Sequence, residues 1–251
     1  MFVFKDRVAL IAGAANDVGE AVALRLGKGG AKLVLVDSNS AKVDEIVKKL
    51  VAAGMQAEGL TVDTEDSSSI KKGVDSVVDR IGSIDILVNC MDYANGKPIL
   101  DCSAVDWEDS IRKNLAPVFM FCEAVVSGMK EKKYGRIINL SDLNYLGMPG
   151  KANYAAAKSG IFGLTRALAL ELAKEAVTVN CVVKGDLKSS DVEMSEEELA
   201  AVAGRMPVKK LGTPDDVAYA VAYFASDTSK YTTGQMLFVC GGKSIYSSMS
   251  I

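Results

Sequence analysis

The chain has 251 residues, 29 basic against 32 acidic side chains for a formal charge of −3, and no histidine. Its 49% hydrophobic and 24% charged residues exclude a mainly disordered chain, and a mild acidic balance without a basic block excludes nucleic-acid binding as the main task. Without imidazole there is no Ser-His or Cys-His catalysis, so proton transfer near neutral pH must use another group with a shifted pKa.

Residues 8–12 form a short apolar run closed by Gly13, which predicts a strand buried on both faces. Residues 18–27 read as a helix, with Val18, Ala21, Val22 and Leu26 on one stripe. A second strand is predicted at 33–36, then a helix over 41–53 with Val43, Ile46, Val47 and Leu50 inward. The strand signal returns at 57–62, 86–89, 135–141 and 177–183, each time after a helical stretch. That alternation predicts one doubly wound α/β domain spanning 1–251, a parallel sheet of about seven strands with helices on both faces. Residues 184–212 break the rhythm: they are polar and irregular, with Glu196-Glu197-Glu198 opening a short helix. In such a sheet ligands sit beyond the carboxyl ends of the strands. The segment is therefore either a substrate lid, with Asp186, Lys188, Asp191 and Met194 at its entrance, or a solvated excursion. Five cysteines, an odd number with no C-x-x-C pair and no signal peptide ahead of them, predict reduced thiols in a cytoplasmic protein and no metal site. No run of about 18 apolar residues exists, so no membrane span is expected.

The turn Gly13-Ala-Ala-Asn16-Asp17-Val18-Gly19 joins the first strand to the first helix, where free N–H groups and the positive helix end face a phosphate. Gly13 and Gly19 suit such a cradle; Asp17 adds bulk and negative charge to it. Asp37, 18 residues after Gly19, can accept both ribose hydroxyls of an adenosine and repel a 2′-phosphate, pointing to NAD over NADP. The alternative for Asp37 is to cap the helix that begins near Ser40. Asp63 likewise either meets an adenine amino group or caps the helix starting near Ser67.

In the second half, Tyr154 and Lys158 lie four residues apart on one helical face, with Ser141 at a strand end and Asn114 in a helix upstream. A phenol with a reference pKa near 10 serves as acid or base at neutral pH only where a cation stabilises its phenolate, and Lys158 is placed to do so. These residues, behind the glycine turn and the strand-helix alternation, resemble the Rossmann-like short-chain dehydrogenase/reductase family. The segments 211–218 and 231–242 resemble its branch of 3-oxoacyl-carrier-protein reductases and 3-hydroxyacyl-CoA dehydrogenases. The resemblance implies that Tyr154 exchanges a proton with the substrate oxygen while hydride passes to or from nicotinamide. Ser141 would hydrogen-bond that oxygen, Lys158 would hold the nicotinamide ribose, and Asn114 would anchor a relay water. It also implies cofactor contacts at Gly13, Asn16, Asp17, Val18, Gly19, Asp37, Asp63, Thr64, Asn89, Leu187 and Ser189.

Three departures fall on the same ligand's site. Asp17 replaces the family's middle glycine, Asn89-Cys90-Met91-Asp92 replaces Asn-Asn-Ala-Gly, and Lys184-Gly185 replaces Pro-Gly. At an effective dielectric near 20, a like charge 4 Å from a phosphate costs about 4 kcal/mol, roughly a thousandfold in binding. Lys184 would offset part of this. Two expectations follow. One is an NAD-dependent dehydrogenase acting on a secondary alcohol, of 3-hydroxyacyl-CoA type. The other is a companion subunit whose cofactor binding is weakened or lost and which supports an active paralogue, a pairing similar to the hydroxyacyl-CoA dehydrogenase of benzylsuccinate degradation. The family implies a tetramer, homomeric or with a paralogue, through the helix carrying Tyr154 and the last helix and strand.

Overall fold

A computed structural model describes residues 2–190 and 194–246. Asp191, in the expected lid, lies outside the described residues, as do the last five. Seven parallel strands form one sheet in the order β3-β2-β1-β4-β5-β6-β7. They are β1 (Val8–Ala12), β2 (Lys32–Asp37), β3 (Ala57–Thr61), β4 (Ile86–Asn89), β5 (Gly135–Asp142), β6 (Val177–Lys184) and β7 (Met236–Val239). Every residue of β1 is buried, and alternate side chains enter opposite layers. Ala9 and Ile11 meet one core with Val22, Leu26 and Val221; Val8, Leu10 and Ala12 meet another with Phe121, Ile137 and Ile161. Covering both faces is why the strands read as continuous apolar runs rather than as alternation.

The first layer is built by α1 (Asp17–Lys28), α2 (Ser40–Ala52) and α8 (Pro214–Ala225). The second is built by α3 (Ser67–Ile81), α5 (Ala116–Lys132) and α6 (Ala152–Leu172). The remaining helices are α4 (Ala104–Asn114), α7 (Glu196–Gly204) and α9 (Lys243–Tyr246). The expected helix ends move by one residue because the caps lie outside the apolar stripe: Asn16 caps α1 and Asn39 caps α2 through side-chain oxygens. The chain runs outward from β1 to β3, then restarts at β4 on the other side of β1. The crevice where the order reverses opens at the carboxyl ends of β1 and β4, where such sheets bind ligands. There the ends of β5 and β6 lie in register, with Asp142 opposite Lys184.

After β6, the excursion is pinned at its base by a parallel bridge between Leu187 and Gly212. Its helix α7 begins at Glu196 under a capping box from Ser195 and buries no residue.

Candidate active site

The turn after β1 needs two of its glycines. Gly13 has φ of +72°, and a Cβ there would lie 2.9 Å from Met91 N; a Cβ on Gly19 would lie 2.6 Å from Ala14 O. Asn16 closes the turn from within. Its Oδ1 accepts from Gly19 N at 2.9 Å, and its Nδ2 donates to Gly13 O at 2.8 Å and Cys90 O at 3.3 Å. Asp17 opens α1, where the helix dipole favours a carboxylate. It accepts from Ser189 Oγ at 2.8 Å, from Ser190 Oγ at 2.7 Å and from Ser190 N. Partial burial works against its ionisation, but the Ser190 and Ser189 hydrogen bonds prevail and leave the carboxyl below its ordinary value. Besides adding charge, then, Asp17 engages the Ser189 hydroxyl, itself one of the expected cofactor contacts.

Asp37 ends β2 with Oδ2 accepting from Ala15 N at 3.1 Å and Oδ1 accepting from Asn39 N at 3.0 Å. The cap of α2 is Asn39, so the capping alternative for Asp37 does not hold. The cap of α3 is Asp66, while Asp63 accepts from Glu65 N at 2.9 Å beside a half-buried Thr64. Val18 and Leu187 pack at the edge of the first core layer. Asn89 faces away from the crevice: fully buried, it donates to Asn139 Oδ1 at 2.9 Å and ties β4 to β5. Strand alternation explains this, because Leu87 and Asn89 point into the layer opposite Ile86 and Val88.

The ends of β4, β5 and β6 and the first turns of α6 bring the remaining groups together. Tyr154 is 2% and Lys158 is 1% exposed. The Tyr154 hydroxyl donates to Asp92 Oδ1 at 2.6 Å. Lys158 Nζ donates to Met91 O at 2.6 Å and lies 3.5 Å from Asp92 Oδ1. Ser141 Oγ donates to the Lys158 carbonyl at 2.9 Å. Asn114 holds the segment after β4 from the far side: its Oδ1 accepts from Tyr93 N at 2.8 Å and its Nδ2 donates to Tyr93 O at 2.9 Å. Lys184 Nζ bridges two acids, 3.1 Å from Asp92 Oδ2 and 2.7 Å from Asp142 Oδ2.

The electrostatics run opposite to the expectation for a free tyrosine-lysine pair. Burial raises the Tyr154 phenol far above its ordinary value, and the Asp92 and Asp142 carboxylates push it further the same way. Burial also opposes ionisation of Asp92, but Lys158 and Lys184 outweigh it and hold that carboxyl well below the ordinary range. Burial lowers the Lys158 ammonium against the pull of Asp92. For Lys184, Asp92 and Asp142 overcome the same burial effect and raise it. Beneath them the Cys90 thiol is pushed by burial up to about 12. The cavity bounded by Asn16, Val18, Met91, Ser141, Lys158 and Lys184 has a volume of about 10 Å³, room for about one water. Sequence reading passed over Asp142. The available signal was that Ser141-Asp142 and Val183-Lys184 end two strands that a doubly wound sheet sets side by side.

The family model described as enoyl-(acyl carrier protein) reductase matches residues 13–244. The chain is 45% identical to (2S)-[(R)-hydroxy(phenyl)methyl]succinyl-CoA dehydrogenase subunit BbsC of Thauera aromatica, covering 98% of this chain and 97% of that one. It is 37% identical to subunit BbsD of the same name and organism, over 96% of this chain and 98% of that one. Similarity to 3-oxoacyl-[acyl-carrier-protein] reductase FabG of Escherichia coli is 34% identity over 95% and 98% of the two chains. A solved chain from Agrobacterium tumefaciens superposes with a TM-score of 0.93 at 28% identity, covering 97% of this chain and 98% of that one.

Proposed function

We propose a function from one premise: the chain belongs to the short-chain dehydrogenase/reductase family, whose members include oxidoreductases acting between alcohols and ketones. On that premise we infer that it is a subunit of a hydroxyacyl-CoA dehydrogenase, that its own dinucleotide cleft is closed, and that a paralogous subunit performs the turnover. The observation that carries this reading is Asp92, whose carboxylate takes up the Tyr154 hydroxyl and the Lys158 ammonium together. A nicotinamide ring does not fit the cavity of about 10 Å³ that Asp92 shares with Ser141, Lys158 and Lys184. The phosphate end of the cleft is occupied in the same sense, since Asp17 takes the hydroxyls of Ser189 and Ser190. The similarity to two proteins each named as a subunit of one hydroxyacyl-CoA dehydrogenase supports a heteromer. Around Asp92 the phenol donates its hydrogen bond to an ionised acid, and both lysines pair with carboxylates. Four buried cysteines without a disulfide suit a reducing, cytoplasmic setting, and among the described residues no helix is long and apolar enough to cross a membrane.

A second reading, an NAD-dependent dehydrogenase in its own right, is favoured by one observation: Ser141, Tyr154 and Lys158 still share one wall, with Asp37 at the end of β2. It requires Asp92 to leave that wall. Fluorescence titration of the purified chain with NADH separates the two. The companion reading expects no binding at micromolar NADH, recovery of binding when Asp17→Gly and Asp92→Gly are combined, and co-purification with a paralogue whose glycine turn is complete. Micromolar affinity in the unaltered chain, or no gain in the double variant, overturns it.

A further inference from the structure

We propose that Lys184 is a positioning residue: it holds the Asp92 carboxylate against Tyr154 and Lys158, so that the state of the tyrosine-lysine pair is set from the end of β6. The inference rests on the reading that Asp92 closes the cleft, and adds what keeps Asp92 there. The two oxygens of Asp92 are divided. Oδ1 faces Tyr154 at 2.6 Å and Lys158 at 3.5 Å, while Oδ2 faces Lys184 at 3.1 Å. Lys184 is in turn fixed by Asp142, its register partner across the β5–β6 ladder, at 2.7 Å. Asp142 cannot follow a moving lysine, because its Oδ1 accepts from Asn144 N at 2.8 Å in the turn after β5.

The charges balance only as a set, with Asp92 and Asp142 against Lys158 and Lys184. Lys151 also lies against the phenol, 5.9 Å from its ring, and the nearby thiols of Cys90 and Cys181 are neutral. Removing the Lys184 ammonium leaves two carboxylates facing one buried lysine, and like charges at such a site do not both stay ionised in place. The carboxylate with a route out is Asp92, whose side chain is 29% exposed, whereas that of Asp142 is 9% exposed and anchored. Loss of Lys184 therefore releases Asp92 to solvent and leaves Tyr154 beside Lys158 alone. A lysine serving only as a counter-ion gives the opposite sign: without it, Asp92 stays and the phenol becomes harder to ionise.

The test is a double-mutant cycle of Lys184→Met and Asp92→Asn, each protein paired with its Tyr154→Phe counterpart to isolate one phenol by ultraviolet difference titration. Lys184→Met should raise the acid dissociation constant of Tyr154 at least tenfold, read as a shift of its phenolate signal to lower pH. The double variant should match Asp92→Asn alone, because the two changes break one contact. Lys184→Arg should restore the unaltered titration, and Lys184→Gln repeats the measurement if the methionine variant does not fold. NADH fluorescence on the same proteins gives the second readout, at least a tenfold gain in affinity for Lys184→Met. A Tyr154 signal that stays absent or moves to higher pH in Lys184→Met, while Asp92→Asn exposes it, overturns the positioning role and leaves the closed-cleft reading standing. An Asp92→Asn protein with unchanged phenol titration and unchanged NADH binding overturns both.

Discussion

Replacing Asp17 with alanine should undock the segment after β6 while leaving the sheet intact. The carboxylate receives Ser189 Oγ at 2.8 Å, Ser190 Oγ at 2.7 Å and the Ser190 amide, three donors 172 or 173 residues away in sequence. Hydrogen bonds to a charged group contribute about 1.5–3 kcal/mol each when buried, but this one is half-exposed and water competes for every partner. Discounting each to about 0.7 kcal/mol gives about 2 kcal/mol for the set, roughly thirtyfold in a local opening equilibrium. Amide hydrogen exchange followed by mass spectrometry reads this directly over residues 187–190, and β1 and β5 serve as internal references. Asp17→Ala should exchange about thirtyfold faster in that segment and at the unaltered rate in the strands. Asp17→Asn, which keeps an acceptor and loses the charge, should fall between. Unchanged protection at 187–190 in Asp17→Ala would refute the reasoning, because the segment would then owe its place to other contacts, such as the Leu187–Gly212 bridge.

Asp85→Ala should be among the costliest single changes outside the site. That carboxylate, 1% exposed, accepts from Val8 N at 2.9 Å and pairs with Lys132 at 2.5 Å, so its loss leaves a buried amide without a partner. The expected cost is about 3 kcal/mol, or about 10 °C in melting temperature by scanning calorimetry. The pH dependence of stability follows from Asp92, which Lys158 and Lys184 hold well below the ordinary carboxylate range despite burial. A carboxyl depressed on folding contributes in full above its unfolded value of about 3.9 and loses that contribution as pH falls towards the folded value. Urea midpoints measured from about pH 6 to pH 3 should fall more steeply below about pH 4 for the unaltered chain than for Asp92→Asn. Parallel curves would remove the ion pairs from the stability account.

What the sequence disclosed, and what it did not, divides by distance along the chain. The strands were legible because β1 and β6 are buried on both faces and read as unbroken apolar runs. Gly13, Asp17, Tyr154 and Lys158 were legible because a turn or one helical face fixes their spacing. Asp92 could be recognised as an acid in a ligand's path, but not as the partner of a phenol 62 residues away. The Asp142–Lys184 pair needs the register of β5 on β6, across 42 residues, before either side chain has a neighbour. Asn89 is a contrasting case. The resemblance implies a cofactor contact there, while the two-residue alternation of β4 turns its side chain towards Cys122 and Asn139.

The departures from the family pattern make sense together and not singly. An acid placed alone beside Tyr154 would face a desolvation cost of several kcal/mol, which one lysine would not reliably offset. At an effective dielectric near 20, ammonium groups at 3.5 and 3.1 Å each return about 5 kcal/mol. The second of them is Lys184, itself one of the departures. Net stabilisation from such a cluster is small, since gain and desolvation nearly cancel. Its main effect is geometric: the ends of β4, β5 and β6 and the first turn of α6 are joined through Asp92, Asp142 and Lys184. Asp17 joins α1 to the segment after β6 in the same manner. Carboxylates thus join the elements around the crevice at both of its ends. Under the companion-subunit proposal, these joints would hold the elements around the cleft in place without a coenzyme.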